Sequence, residues 1–382
     1  FKSGHARQIL ALATGGGKCH GIDTPILMAD GSIKKVQNIS VGDMLMGDDG
    51  TYRKVKSLAH GYGKLYKINQ TKGDSYVVND AHILSLKKSS NVKGLKLYNG
   101  LVVDEQYQIA NINVEDFILS SSHAKRLMKG WFAGAVEFNR NKIELPIDPY
   151  FLGAWIGDGT STRPSISKPM CNMVKYCCEY AISIGLDVSI NDSGRCPQWS
   201  FVKKHSETKN LLLDNLRNIG VIPSKKIPEL YKFSSLNERM SLIAGMLDSD
   251  GSVSRTGFDW ISVSEDIAND FQFICRSIGL KCNLKMVEKG IKSIGFVGKY
   301  WRCSVFGDFS KLPLLDKIPP KRKINKNSHV NGIEIEDYGY GDYYGFEIDG
   351  NNLYCLGDFT VTHNTITASE LIKLSIAKGS KV

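Results

Sequence analysis

Two stretches of the chain put reactive side chains beside the peptide bonds they could break. At "ATGGGKC" (13–19) the thiol of Cys19 directly follows Lys18, and at "VTHNT" (361–365) Asn364 lies between His363 and Thr365. A thiol can attack its own preceding carbonyl and turn the Lys18–Cys19 amide into a thioester. The Thr365 hydroxyl can then take over the acyl group as a branched ester. The Asn364 side-chain amide can close on its own carbonyl carbon to a succinimide, cutting the Asn364–Thr365 bond while His363 polarises that carbonyl or protonates the departing nitrogen. The released ester is one five-membered transition state from a stable Lys18–Thr365 amide. Every step is an acyl transfer within one chain, so effective molarity takes the place of substrate binding.

The same ends hold a second, interrupted chemistry. A Gly-rich run reaching Gly15, Gly17 and Lys18 can wrap a phosphate with its N–H groups, but a Ser or Thr should follow to hold Mg²⁺, and Cys19 is a poor ligand for so hard an ion. Removing 19–364 gives "ATGGGKTITASELIKL", a continuous phosphate loop entering a helix, with Thr365 as the missing hydroxyl. Gly15, Gly17, Lys18 and Thr365 are therefore candidate nucleotide-binding residues of a host protein, after removal only.

The elements that must position these ends follow from pattern. Residues 19–125 alternate short β-rich runs with turns such as "GDDG", an all-β texture. Residues 146–320 alternate helical periodicity with short strands. Strand texture returns in "YYGFEIDGNNLYCLGDFTVTHN", and from Thr365 an amphipathic helix is predicted. One β domain is thus split by an α/β insertion. That insertion repeats itself: "FLGAWIGDG" (151–159) and "IAGMLDSDG" (243–251) are helix ends whose small residues allow close packing, and each closes on an acid followed by Gly. Asp158 and Asp250, 92 positions apart, would meet at one end of the helix pair and could hold a divalent metal ion against the phosphates of DNA.

Composition is compatible with this. The chain has 382 residues, enough for two or three units, and its net charge of +10 and pI near 9.0 suit a polyanion partner. Nine scattered cysteines without a CxxC pair argue against zinc. No stretch approaches the length of a membrane span, and "FKSGHARQIL" has no signal-peptide features, so a cytoplasmic location is expected.

The two ends resemble those of an intein, the Hedgehog/intein (HINT) type of protein-splicing element, set in the phosphate loop of a helicase-like ATPase. The family's first block is matched by "CHGIDTPILMADGSIKKVQNISVGDMLMGDDG" and its last by "YYGFEIDGNNLYCLGDFTVTHN" plus Thr365. The second block, normally Thr-x-x-His, is matched by "NDAH", and the resemblance makes Asn79 and His82 the residues that assist breakage of the Lys18–Cys19 amide. Asn79 replaces the usual Thr, Asn352 stands where the last block often has His, and Gly345 where some members have a catalytic Asp. The paired motifs resemble those of LAGLIDADG homing endonucleases. That resemblance implies Mg²⁺ at Asp158 and Asp250, a basic residue at Lys225 or its neighbour Lys226, phosphate contacts from "KKIP", "KIPPKRKINK" and "HAKRLMKG", and two pseudo-symmetric halves.

The expected organisation is a host fragment 1–18, splicing domain 19–125, DNA-recognition arm 126–145, endonuclease 146–320, splicing domain 321–364 and host fragment 365–382. The expected fold is a HINT horseshoe split by the endonuclease. The expected activity is autocatalytic splicing joined to site-specific cleavage of double-stranded DNA, the intein-less host allele, by a monomer. A splicing element with a degenerate endonuclease and a phosphate-loop ATPase with a structural insertion are the alternatives.

Overall fold

The computed structural model describes residues 18–194, 196–291, 296–320 and 329–364. Gly15, Gly17, Thr365 and the helix expected after it lie outside the described residues. The chain divides into two units, one formed by Phe1–Gly134 with His329–Val382, the other by Ala135–Ser328.

The first unit is built from antiparallel strands. Tyr52–Gln70 runs beside Ile333–Ile348 with register from Gln70↔Ile333 to Val55↔Ile348, so segments far apart in sequence form one long ribbon. The short strand His20–Gly21 is held on both sides, His20 opposite Tyr344 and also opposite Val78. Cys19 therefore enters the sheet at its middle, where backbone pairing fixes it. Alternation along the strands sends Ile26, Leu45, Val55, Ile68, Val78 and Phe346 into one core. Leu353–Cys355 and Val361–His363 form the hairpin that delivers the second reactive end.

This unit is not strand alone. Val114–Leu119 and Ser122–Leu127 are short helices, which overturns the all-β reading of 19–125. Their caps explain them: the Asn113 side chain accepts from the Glu115 N–H and Ser121 from the Ala124 N–H, each cap contributing about 1 kcal/mol. Within 126–145, Met128–Trp131 is a strand paired with Ile83–Lys88 and Val330–Asn331, and residues from Ala135 onward belong to the second unit.

In the second unit both motifs are helices, Pro149–Asp158 and Leu236–Asp250. The first starts on Asp148, whose carboxylate accepts from the Phe151 N–H at 2.8 Å, with Pro149 at the first helical position. The second starts on a reciprocal cap between Ser235 and Glu238. The helices touch backbone to backbone: a Cβ on Gly153 would strike the Leu242 carbonyl oxygen, and one on Gly245 the Tyr150 carbonyl oxygen. Only glycine permits this approach at these two positions. A three-stranded sheet (Ser165–Ser167, Gln198–Lys203, Leu186–Asn191) and a four-stranded one (Ser252–Val253, Phe258–Ser262, Phe296–Phe306, Lys281–Ile291) complete the unit. No described helix is long and apolar enough to cross a membrane.

Candidate functional site

The first unit brings Cys19, Asn79, His82, His363 and Asn364 into its buried interior or its rim. Asn79, at the end of strand Tyr76–Asn79, accepts from the Cys19 N–H through Oδ1 at 2.9 Å, while its own N–H donates to the Cys19 carbonyl at 3.1 Å. The Asn that stands for Thr therefore grips the amide nitrogen at which the first step occurs. The turn continues into His82, whose N–H donates to the Asn79 carbonyl at 3.1 Å. The His82 ring is fully buried, with Nε2 3.0 Å from Thr362 Oγ1.

Gly345 decides where the thiol lies. A Cβ there would come 2.5 Å from Cys19 Sγ and 3.2 Å from the Lys18 carbonyl oxygen. Nucleophile and target carbonyl thus both lie against Gly345. Gly345→Ala should slow thiol-induced cleavage at Lys18–Cys19 about a hundredfold, because a displaced nucleophile loses its alignment. Wild-type release of residues 1–18 by dithiothreitol in that variant would contradict this placement.

Burial pushes the Cys19 thiol up to about 12, so it is protonated at neutral pH and must lose its proton during attack. Three histidines lie in the same buried region, and burial lowers the basicity of each. Burial draws His20 down to about 4 against a bond to the Val77 backbone, and draws His82 well below the usual imidazole range, helped by the charges of His20, His363 and Lys18. His363 falls to about 4 through burial and then the Lys18 charge. All three are neutral imidazoles at pH 7. Lys18 acts on His82 and His363 alike, so the two reactive ends share one electrostatic environment. At the second end the Asn364 N–H donates to the Asn352 carbonyl at 2.7 Å. Asn352 adopts a left-handed φ of 62°, which Asn tolerates, and it is its backbone carbonyl that holds the Asn364 N–H. Asn364 Nδ2 is buried with no hydrogen-bond partner among the described residues, the condition a cyclising amide needs.

The second unit brings Asp158 and Asp250 together. Burial raises the Asp250 carboxyl, and the Asp158 charge raises it further against Lys225, Lys168 and Lys317. Three ammonium groups serve the helix ends. Lys225 Nζ donates to the Ile156 and Gly157 carbonyls at 2.8 and 2.9 Å, and Lys317 Nζ to those of Leu247 and Ser249 at 2.7 and 2.9 Å. Lys168 Nζ bonds Asp158 Oδ2 at 2.6 Å and the Ser249 carbonyl at 2.8 Å. Lys225 rather than Lys226 reaches the pair, since Lys226 Nζ lies over Gly220. Sequence reasoning missed Lys168 and treated Lys317 only as one of a basic cluster. The "KIP" that recurs at 226–228 and 317–319 would have aligned Lys317 with Lys226, not with the Lys225 that serves the other helix end. Asp248 fixes that segment: its buried carboxylate accepts from the Leu315 and Lys317 N–H groups at 2.7 and 2.9 Å and from the Tyr150 hydroxyl at 2.7 Å.

Two neighbouring carboxylates, beside main-chain oxygens that already draw ammonium groups, form an all-oxygen donor set of the kind hard divalent cations take. No cluster of three or more His, Cys, Asp or Glu side chains able to hold a metal occurs among the described residues. Among the described residues the two carboxylates would need main-chain or substrate oxygens to complete a shell.

Residues 19–130 match the model of the Hom_end-associated Hint family. The chain carries a Hint domain of that family. Over 286 residues the chain is 27% identical to the replicative DNA helicase DnaB of Mycobacterium intracellulare, covering 72% of this chain and 45% of that protein. It is 21% identical over 474 residues to the V-type proton ATPase catalytic polypeptide of Candida tropicalis, covering 91% of this chain and 43% of that protein. The chain thus spans less than half the length of these curated relatives. The crystal structure of I-DmoI in complex with DNA and Mn shares 11% identity at a TM-score of 0.30, covering 42% of this chain and 89% of that one.

Proposed function

We propose that the chain is an intein that excises residues 19–364 and joins Lys18 to Thr365, and that its insert is a homing endonuclease. The observation that carries the splicing reading is the gap at Gly345, which Cys19 Sγ and the Lys18 carbonyl both border. In the first step the thiol attacks that carbonyl, the proton passes to a buried neutral imidazole, and the amide nitrogen gripped by Asn79 takes a proton as the C–N bond breaks. Thr365 Oγ then displaces the thiolate. Asn364 Nδ2 closes on its own carbonyl carbon and gives up a proton to His363, His363 passes that proton to the departing ester-bearing amine, and the amine recaptures the acyl group from oxygen.

For the insert, support comes from the paired helix ends. Lys225 caps the carbonyls of one helix end and Lys317 those of the other, an arrangement that favours two pseudo-symmetric halves. Asp158 and Asp250 would hold the divalent ion, for which we propose Mg²⁺. Such an ion activates water and stabilises the leaving oxygen at a phosphodiester. The lysines would orient that water and neutralise the phosphate, while the basic surface binds double-stranded DNA. Because both halves lie in one chain, a monomer suffices, and the cytoplasm supplies the ion and the substrate. The proposed target is the host allele with the codons for Lys18 and Thr365 joined. The test is Mg²⁺-dependent linearisation of a plasmid carrying that rejoined junction, compared with one interrupted at it. An uncut rejoined plasmid at low salt, where phosphate contacts are strongest, would leave splicing as the single activity.

A further inference from the structure

The hairpin that ends at Asn364 also holds the histidines at the opposite reactive end. Tyr354 and Thr362 face each other across its two strands, so their side chains leave the same face. The Tyr354 hydroxyl lies 2.6 Å from His20 Nε2, and Thr362 Oγ1 lies 3.0 Å from His82 Nε2. The two imidazoles meet edge to face with centroids 4.8 Å apart. All four side chains are buried, none exposed by more than 2%. With Nε2 engaged, Nδ1 is the nitrogen His82 has left, and it is buried without a partner among the described residues.

We propose that Thr362 is a positioning residue for the first acyl shift: its hydroxyl accepts from His82 Nε2–H, so the Nδ1 lone pair is kept free for the Cys19 proton. Tyr354 engages Nε2 of His20, whose ring packs edge to face against His82. The proposal rests on the splicing reading and adds an interlock to it. Thr362 stands two residues before Asn364, on the strand that ends at the second scissile bond, so the imidazole is set for the first bond only while that strand is docked. The proton balance is simple. Nδ1 takes the thiol proton as the C–S bond forms, the imidazolium keeps its Nε2–H on Thr362, and Nδ1–H is returned to the Cys19 nitrogen as the Lys18–Cys19 C–N bond breaks.

The experiment has two readouts. Rates of dithiothreitol-induced release of residues 1–18 are compared in an Asn364→Ala background for Thr362, Thr362→Val and Thr362→Ser. Ring ¹⁵N shifts of His82 are recorded in a Cys19→Ala, Asn364→Ala precursor with and without Thr362→Val. We expect Val, equal in shape but without the hydroxyl, to slow release about tenfold. Ser should restore it. The His82 shifts should report an Nε2–H tautomer that becomes mixed in the Val chain. Release at an unchanged rate in Thr362→Val, or a slower rate with an unchanged tautomer, overturns the proposal. An Nδ1–H tautomer with Thr362 present overturns it whatever the variants do. Absence of thiol-induced release in the Thr362 chain itself would instead strike the splicing reading.

Discussion

Asp158→Asn should lower Mg²⁺-dependent cleavage of the rejoined host junction by at least about a hundredfold while leaving splicing at its wild-type rate. The substitution keeps size and hydrogen bonding but removes the negative charge that answers Asp250 and holds Lys168 at 2.6 Å. Asp250→Asn should have the same effect from the other helix end. Separation of the activities follows from the division of the chain, since Cys19, His82 and Asn364 belong to the first unit and both acids to the second. The measurement is a plasmid linearisation time course beside a gel assay of the excised segment from the same preparation. Loss of splicing in Asp158→Asn would mean that the units do not act independently.

Cys19→Ala should abolish ligation altogether, because no other group can move the Lys18 acyl from nitrogen. Asn364 can still cyclise in that variant, so slow release of residues 365–382 should persist. Asn364→Ala should show the reverse: no free C-terminal flank, and a thioester or branched ester that hydroxylamine opens at Lys18. Asn364 is assigned this step because it directly precedes Thr365, and its Nδ2 is buried without a partner among the described residues. Mass spectrometry after hydroxylamine decides both. Ligated flanks from Cys19→Ala, or a free 365–382 peptide from Asn364→Ala, would contradict the assignment.

The residues legible in the sequence are those whose covalent chemistry admits few substitutes. A thiol after a truncated phosphate loop, an Asn before the hydroxyl that loop lacks, and an acid closing each repeated helix could be placed by type and spacing alone. The residues that hold them were not. His20, Tyr354 and Thr362 meet only because of strand register, which pairs Tyr354 with Thr362 and sets His20 opposite Val78. Lys168 comes to Asp158 from the end of a short strand that no periodicity announces. Lys317 was hidden in a basic run, where it was read as a phosphate contact. The helices at 114–127 were lost for another reason. Each is six residues long, too short for helical periodicity to outweigh the β-rich surroundings, and only the caps Asn113 and Ser121 mark them.

The most direct test is the mass of the purified chain after incubation. If the chain is an intein, the 42.3 kDa species should give way to an excised 19–364 segment and a peptide in which 1–18 is joined to 365–382 through a Lys18–Thr365 amide stable to hydroxylamine. An unchanged mass, or flanks released but never joined, would contradict it.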